Sequence, residues 1–188
     1  MADKIIPPLD LMFFLTESPE SPKHVGAVQI FDFPPNAPDT FLRDLVAEFK
    51  RAPVESPFNY HPVFPRVGMP RWRVDEDIEM DYHVRHSALP KPGRYRELFA
   101  LVSRLHGTLL DRNRPLWEMH LIEGLENNQF AVYSKFHHAA IDGVRSVHLT
   151  QSMYSADPRE RIHDSPLSMA ARERYRVALN IPPPSTAE

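Results

Sequence analysis

The sequence predicts an α/β (α+β) fold in which a β-sheet is flanked by helices. Two stretches, 39–51 and 94–110, carry apolar residues at helical spacing. Four other runs have strand character, and their bounds are 24–33, 78–89, 115–125 and 129–138. The chain has 188 residues, of which 42% are hydrophobic and 25% charged, so it can bury the core of one ordinary domain.

The first strand and the first helix follow each other along the chain. Residues 24–33 are apolar on both alternating faces, so we expect a strand that is covered on both sides. The helix has Asp39 or Thr40 available as its cap. Its apolar stripe consists of Phe41, Leu42, Leu45, Val46 and Phe49. Residues 52–74 contain five prolines and no steady period, which predicts an irregular surface excursion.

The later elements lead to a histidine pair. Residues 78–89 alternate apolar and charged side chains, as in a strand with one wet face, and Pro92-Gly93 forms a plausible entrance to the helix at 94–110. The runs 115–125 and 129–138 are separated by three polar residues, so they should be antiparallel neighbours. A further helical pattern at 144–153 then predicts that the segment "HHAAIDG" lies on a strand-to-helix loop.

Composition excludes several classes of protein. The chain has no cysteine, so disulfides, thiolate metal sites and a cysteine nucleophile are excluded, and a cytoplasmic location is the default. A net charge of −3 with scattered basic residues argues against a nucleic-acid partner. No apolar run approaches the roughly 20 residues of a membrane span, and no signal peptide is recognisable, so we expect any membrane contact to be peripheral. Residues 1–156 are predicted to form one domain and 157–188 a charged, proline-ended linker.

The motif HHxxxDG, from His137 to Gly143, is the strongest chemical signal in the chain. Its chance occurrence in a sequence of this composition has odds of about one in a thousand. A histidine at a strand end has a pKa of about 6.5 and can act as a general base near neutral pH. Asp142 could orient the imidazole, pin the loop by a salt bridge, or cap the following helix. Spacing alone leaves these roles open.

The histidine pair is also compatible with two roles that involve no general base. One role is structural: a strand end that buries one histidine ring and solvates the second. The second role is a metal site, which would need a third ligand such as His120 or His148, and no spacing here resembles a known metal motif. We therefore assign no metal.

Several segments together resemble the N-terminal half of the bacterial wax ester synthase/diacylglycerol acyltransferases. HHxxxDG is the signature of the wider CoA-dependent acyltransferase superfamily, and the resemblance covers roughly residues 7–155. The segments are "PLDLMFFLTE", "HVGAVQIF", "DYHVRHSALPKPG", "LVSRLHGTLLDRNRPLWEMHLIEGL" and "KFHHAAIDG". The resemblance implies one chloramphenicol acetyltransferase-like half, with a mixed, mainly antiparallel sheet flanked by helices.

The resemblance also implies an activity and roles for residues. A fatty acyl group would pass from acyl-CoA, a substrate and not a cofactor, to a long-chain alcohol or to diacylglycerol. His138 would be the base on the acceptor hydroxyl, without an acyl-enzyme; His137 and Gly143 would shape the loop, and Asp142 would be mainly structural. The "PLW" segment also matches the family; it consists of Pro115, Leu116 and Trp117, and core packing explains Trp117 better than substrate contact does. The apolar cluster at 9–15 fits either a core or an acyl entrance.

Members of this family carry a second half with a similar fold, and the substrate channels run between the halves. We therefore expect a C-terminal partner half, no turnover by this chain alone, and an exposed apolar face that favours self-association. Two rival functions share the motif. One is a condensation-type or polyketide-directed acyltransferase domain that takes a carrier-protein thioester, and the second is a non-catalytic binding module.

Overall fold

A computed structural model describes residues 3–141 and 167–168 of the chain. Over these residues it contains seven strands and four helices. In chain order they are β1 (Lys4–Ile5), α1 (Pro8–Thr16), β2 (His24–Asp32), α2 (Phe41–Arg51), β3 (Tyr60–Val63), β4 (Arg71–Val74), α3 (Met80–His83), β5 (Val84–Ala88), α4 (Tyr95–Gly107), β6 (Trp117–Leu125) and β7 (Gln129–His137).

The main sheet has the strand order β2-β7-β6-β5. β7 pairs antiparallel with both β2 and β6, whereas β5 pairs parallel with β6. The predicted mixed, mainly antiparallel sheet is therefore confirmed. β6 and β7 lie at its centre and are buried on both faces over most of their length.

One helix covers each face of this sheet. α2 places Leu42 and Val46 against a cluster that includes Trp117 of β6 and Phe136 of β7. α4 packs on the opposite face, where Leu98 joins the cluster of Ile122, Ala131 and Tyr133. Because neighbouring residues of a strand point to opposite faces, β6 and β7 supply apolar side chains to both layers. The predicted helices at 39–51 and 94–110 are confirmed, with shorter ends.

The prediction of an irregular excursion at 52–74 is wrong. This stretch contains β3 and β4, which form a second sheet with β1 in the order β1-β4-β3. Pro62 lies in β3, at the edge of that sheet, where a residue without an amide proton is tolerated. Strands of four residues with a proline give too little alternation to be recognised from sequence.

Two predicted strands differ in detail. The predicted strand at 78–89 begins as the helical turn α3 and becomes a strand only at Val84. The predicted strand at 24–33 is β2, but it lies at the end of the main sheet, with most of its residues only partly buried, instead of being covered on both sides. The strands covered on both sides are β6 and β7.

The hairpin between β6 and β7 is confirmed. Asn127 and Asn128 have φ angles of 63° and 56°, a left-handed conformation that asparagine tolerates in tight turns. This turn sets the register of the pair, in which Trp117 lies opposite Phe136. The end of β7 is therefore held next to the start of β6.

Two further expectations concern the periphery. Leu167 lies in the predicted linker, yet its side chain is buried in the α2 cluster, and its carbonyl accepts a hydrogen bond of 3.1 Å from the Glu55 amide. Among the helices of the described part of the chain, none combines the length and apolar character needed to cross a membrane. The predicted helix at 144–153 lies outside the described residues.

Candidate active site

The histidine loop leaves the end of the central strand β7. His137 is the last residue of β7 and lies opposite His24 of β2. Its amide donates to the Leu116 carbonyl at 3.0 Å, and the His138 amide donates to the Lys23 carbonyl at 2.8 Å. The chain then turns, because the Ala140 amide donates back to the His137 carbonyl at 2.9 Å. Backbone bonds to both flanking segments thus fix the position of the histidine pair.

The ring of His137 is fully buried and held by polar contacts. Its Nδ1 accepts a hydrogen bond of 3.1 Å from the Ala139 amide, so the proton of the neutral ring lies on Nε2. Nε2 lies 3.3 Å from Glu17 Oε1, close enough for a hydrogen bond but not aligned as one. Burial lowers the pKa of His137 to about 4, although the nearby Glu17 carboxylate opposes this. His137 is therefore neutral near pH 7.

His138 lies in a different environment, because its ring is only half-buried. The ring stacks on that of Phe13 with a centroid distance of 4.9 Å and an interplanar angle of 9°. Within the described residues, neither ring nitrogen of His138 has a hydrogen-bond or ion-pair partner. In the described part of the chain, its orientation comes from stacking and from the backbone.

Helix α1 holds both rings. Phe13 stacks on His138, and the next residue, Phe14, stacks on His137 with a centroid distance of 4.5 Å and an angle of 12°. Phe14 is 3% exposed, whereas three apolar residues of the same helix face solvent: Leu9 at 74%, Met12 at 53% and Leu15 at 68%. The apolar cluster at 9–15 thus divides into a face that packs on the loop and an exposed face.

Glu17, immediately after α1, and Arg112, between α4 and β6, were missed by the sequence reasoning. The Glu17 side chain is 1% exposed, and its Oε2 accepts hydrogen bonds from Arg112 Nη2 at 2.9 Å and Nε at 3.3 Å. Its Oε1 accepts from the Lys23 amide at 3.2 Å. These hydrogen bonds and nearby positive charge lower the pKa of Glu17 despite its burial, so it is a carboxylate.

The "PLW" segment supports the loop from the side of β6. The Leu116 carbonyl holds the His137 amide, and the Leu116 side chain is buried beside Phe14 and Ala139. Trp117 is 1% exposed, stacks on His83 and donates from Nε1 to the Phe58 carbonyl at 2.9 Å. Pro115 is also buried. All three residues of the segment are therefore buried in the core beside the loop.

A second buried polar cluster consists of Lys135 on β7 and Glu118 and His120 on β6, and Lys135 precedes the histidine pair by two positions. Lys135 Nζ donates to the carbonyls of Leu105 and Thr108, each at 2.9 Å, and lies 3.4 Å from Glu118 Oε2. The same Glu118 oxygen is 3.2 Å from His120 Nε2. Lys135 thus joins the sheet to the C-terminal end of α4, and a positive charge is favourable at the C-terminus of a helix. Over the described ranges, no group of three acidic or histidine side chains could hold a metal ion.

A cavity of about 230 Å³ borders the loop at Ala139 and Ala140. Its other walls come from the first ten residues and from the second sheet, and they include Pro7, Tyr60 and Trp72. The space is mixed in polarity, because Lys4, Asp10 and Ser56 also reach it. His138 is not among the residues that line this cavity. Asp142 and Gly143, the rest of the motif, lie outside the described residues.

Comparison with known proteins places this geometry in a family. Residues 6–183 match the family described as wax ester synthase/diacylglycerol acyltransferase catalytic domain. A probable diacylglycerol O-acyltransferase of Mycobacterium tuberculosis is 50% identical over 157 residues, which cover 80% of this chain and 34% of that protein. The O-acyltransferase WSD of Acinetobacter baylyi is 45% identical over 173 residues, covering 90% of this chain and 36% of that protein. The chain thus spans about a third of the length of these curated relatives.

Solved structures give the same result. The wax ester synthase/diacylglycerol acyltransferase from Marinobacter aquaeolei VT8 superposes with a TM-score of 0.83 at 40% identity, over 89% of this chain and 41% of that one. The starter condensation domain of rhizomide synthetase superposes with a TM-score of 0.60 at 13% identity, over 81% of this chain and 37% of that one, which shows a shared fold. The chain therefore belongs to the wax ester synthase/diacylglycerol acyltransferase catalytic domain family.

Proposed function

We propose that this chain supplies the histidine-bearing part of an enzyme that transfers a fatty acyl group from acyl-CoA to an alcohol, either a long-chain alcohol or diacylglycerol. The observation that carries the proposal is the partly exposed His138, whose ring nitrogens have no partner within the described residues while its backbone is firmly held. Family membership supports the substrate class. No cofactor is needed, because acyl-CoA is itself the substrate.

The proposed chemistry is general base catalysis by His138. An alcohol with a pKa of about 16 is a poor nucleophile at neutral pH, so a base that removes its proton during attack contributes about 10²- to 10⁴-fold. The alkoxide oxygen forms a bond to the thioester carbonyl carbon, and His138 becomes protonated. When the tetrahedral intermediate collapses, the carbon–sulfur bond breaks, and the His138 proton passes to the CoA thiolate. No acyl-enzyme forms.

The remaining roles belong to the same proposal, and the positions of His137 and Leu116 support two of them. His137 is buried and neutral, so we assign it to shaping the loop and not to proton transfer. Leu116 anchors the loop through its carbonyl. We propose that Gly143 lets the backbone pass close to the site and that Asp142 stabilises the loop.

The partners we propose are acyl-CoA, the alcohol or diacylglycerol, and the C-terminal part found in the longer relatives. The curated relatives are about three times as long as the matched region. A cleft that must hold a long acyl chain and exclude water needs walls on both sides of His138. We therefore expect the 188-residue chain to lack turnover on its own. The exposed face of α1 is suited to transient hydrophobic contact with a lipid surface or a second copy.

The test is an assay with palmitoyl-CoA and hexadecanol, and separately with a diacylglycerol. The chain is assayed alone and combined with the C-terminal region of the Acinetobacter relative. We expect turnover only in the combination, and His138→Ala should reduce it by about 10²- to 10⁴-fold. His86→Ala is the matched control, because His86 lies on β5 near the exposed Glu123, away from the loop.

Two outcomes would overturn the proposal. Turnover that survives His138→Ala would remove the base and favour a non-catalytic role for the motif. A requirement for a carrier-protein thioester, with no use of free acyl-CoA, would favour the condensation-type alternative, whose fold is similar.

A further inference from the structure

Glu17 directly follows α1, at a position where its negative charge does not stabilise that helix. It is the residue that ends α1, and a helix C-terminus favours positive charge over negative. It is also buried, and a buried ion pair contributes little net stability compared with apolar residues of similar size. Stability therefore does not explain why a carboxylate lies here, and the groups that it contacts are the next place to look for its role.

One oxygen of Glu17 contacts His137 directly and is linked to His138 through Lys23. Oε1 lies 3.3 Å from His137 Nε2, the nitrogen that carries the proton because Nδ1 accepts from the Ala139 amide. The same oxygen accepts from the Lys23 amide at 3.2 Å, and the Lys23 carbonyl accepts from the His138 amide at 2.8 Å. Glu17 thus contacts the ring of one histidine and, through one residue, the backbone of its neighbour.

Arg112 fixes the carboxylate in this position. It donates to Glu17 Oε2 from two nitrogens, and its Nη2 also donates to the Phe14 carbonyl at 2.9 Å. Phe14 in turn stacks on His137. The guanidinium therefore holds together the end of α1, the carboxylate and the aromatic stack.

We propose that Glu17, held by Arg112, is a positioning residue that orients the ring of His137 through its protonated Nε2 and sets the backbone of His138 for its role as the base. The inference rests on the proposed function for the role of His138. The contact between the Glu17 carboxylate and Nε2–H of His137 is a separate claim that does not depend on catalysis. An ion pair that served only to join Glu17 to Arg112 would affect neither the Nε2–H signal of His137 nor kcat.

The test compares two carboxylate-to-amide variants. Glu17→Gln keeps the size of the side chain but removes the charge that faces Arg112 and His137. Glu79→Gln is the matched control, because Glu79 pairs with Arg114 at 2.6 Å but is 59% exposed and does not contact the loop. In the combined enzyme we expect Glu17→Gln to lower kcat by about 10- to 100-fold, with each KM within about twofold, and Glu79→Gln to leave both unchanged.

The second measurement is made on the purified 188-residue chain. Ring ¹⁵N shifts at pH 7 should show His137 as a single Nε2-protonated tautomer in both the wild type and Glu17→Gln, because the Ala139 amide still donates to Nδ1. Glu17→Gln should shift the Nε2–H signal, since the carboxylate that lies 3.3 Å from Nε2 is lost. An unchanged Nε2–H signal would overturn the positioning role even if His138 proves not to be the base. An unchanged kcat in a folded variant, with the Nε2–H signal altered, would overturn the link to His138. If Glu17→Gln does not fold, Arg112→Lys is used, and the same outcomes apply.

Discussion

His137 and His138 are neighbours in the chain and occupy opposite kinds of environment. The first has no exposed surface, a backbone donor on one nitrogen and a carboxylate near the second. Among the described residues, His138 is half-buried and is oriented by a phenylalanine ring and by its own backbone. The difference follows from strand geometry, because successive residues at the end of β7 point in opposite directions. One ring can then stabilise the loop while its neighbour stays free for chemistry.

The largest expected effect on stability comes from removing the buried ring. His137→Ala should lower the free energy of unfolding by about 2–4 kcal/mol, because it leaves a cavity and a buried carboxylate with one neighbour fewer. His138→Ala should cost less than about 1 kcal/mol. Urea denaturation of the 188-residue chain measures both. Equal losses would show that the two environments do not differ energetically.

A smaller effect should appear in the dependence of stability on pH. The pKa of His137 is about 4 in the folded chain, against about 6.5 when unfolded, so only the unfolded state takes up this proton as the pH falls through that range. Stability therefore decreases from pH 6.5 towards 4, by up to about 3 kcal/mol from this group. Glu17, with a lowered pKa, adds a loss in the same direction at the acid end.

The variant that isolates this contribution is His137→Gln, which cannot titrate. Burial also lowers the pKa of His24, His83 and His106, so the wild-type slope contains their contributions as well. The prediction is a shallower slope in His137→Gln between pH 4 and 6.5, measured by denaturation at several pH values. A slope equal to that of the wild type would contradict the neutral, buried state of His137.

The smallest effect should distinguish the two stacking phenylalanines. Phe14→Leu removes a nearly buried ring that also contacts Phe64 and Trp72, and it should cost about 1–2 kcal/mol at every pH. Phe13→Leu should cost about 0.5 kcal/mol, yet it frees the His138 ring and should lower kcat in the combined enzyme by severalfold. A larger loss of stability for Phe13→Leu would reverse the assignment of the two stacks.

Two helices and one hairpin of this fold could be predicted from patterns within short stretches of sequence. The helices at 39–51 and 94–110 have a strong 3.6-residue period, and the hairpin has a polar turn with asparagines, so each is encoded within a few residues. The strands β3 and β4 could not be found, because four residues give too few alternations. The edge position of β2 was missed because an apolar strand looks the same at the edge and at the centre.

The candidate site also contains residues that the sequence revealed and residues that it did not. The motif from His137 to Gly143 was found because its residues are close in sequence. Glu17 and Arg112 were missed because they lie 95 positions apart, and nothing near either residue indicates a partner. The position of Glu17 at the end of a helix, where its charge opposes the helix dipole, became visible only once α1 was known.

The sequence alone determined the helices α2 and α4, the hairpin and the histidine motif, since each depends on the spacing of neighbouring residues. It did not reveal α1, which holds both histidine rings. Only the tertiary structure decided which histidine is buried and what holds it. Burial and the pairing of a carboxylate with an arginine depend on segments that meet after folding, when α1, the region before β6 and the end of β7 pack together. The spacing of neighbouring residues does not indicate which distant segments pack together.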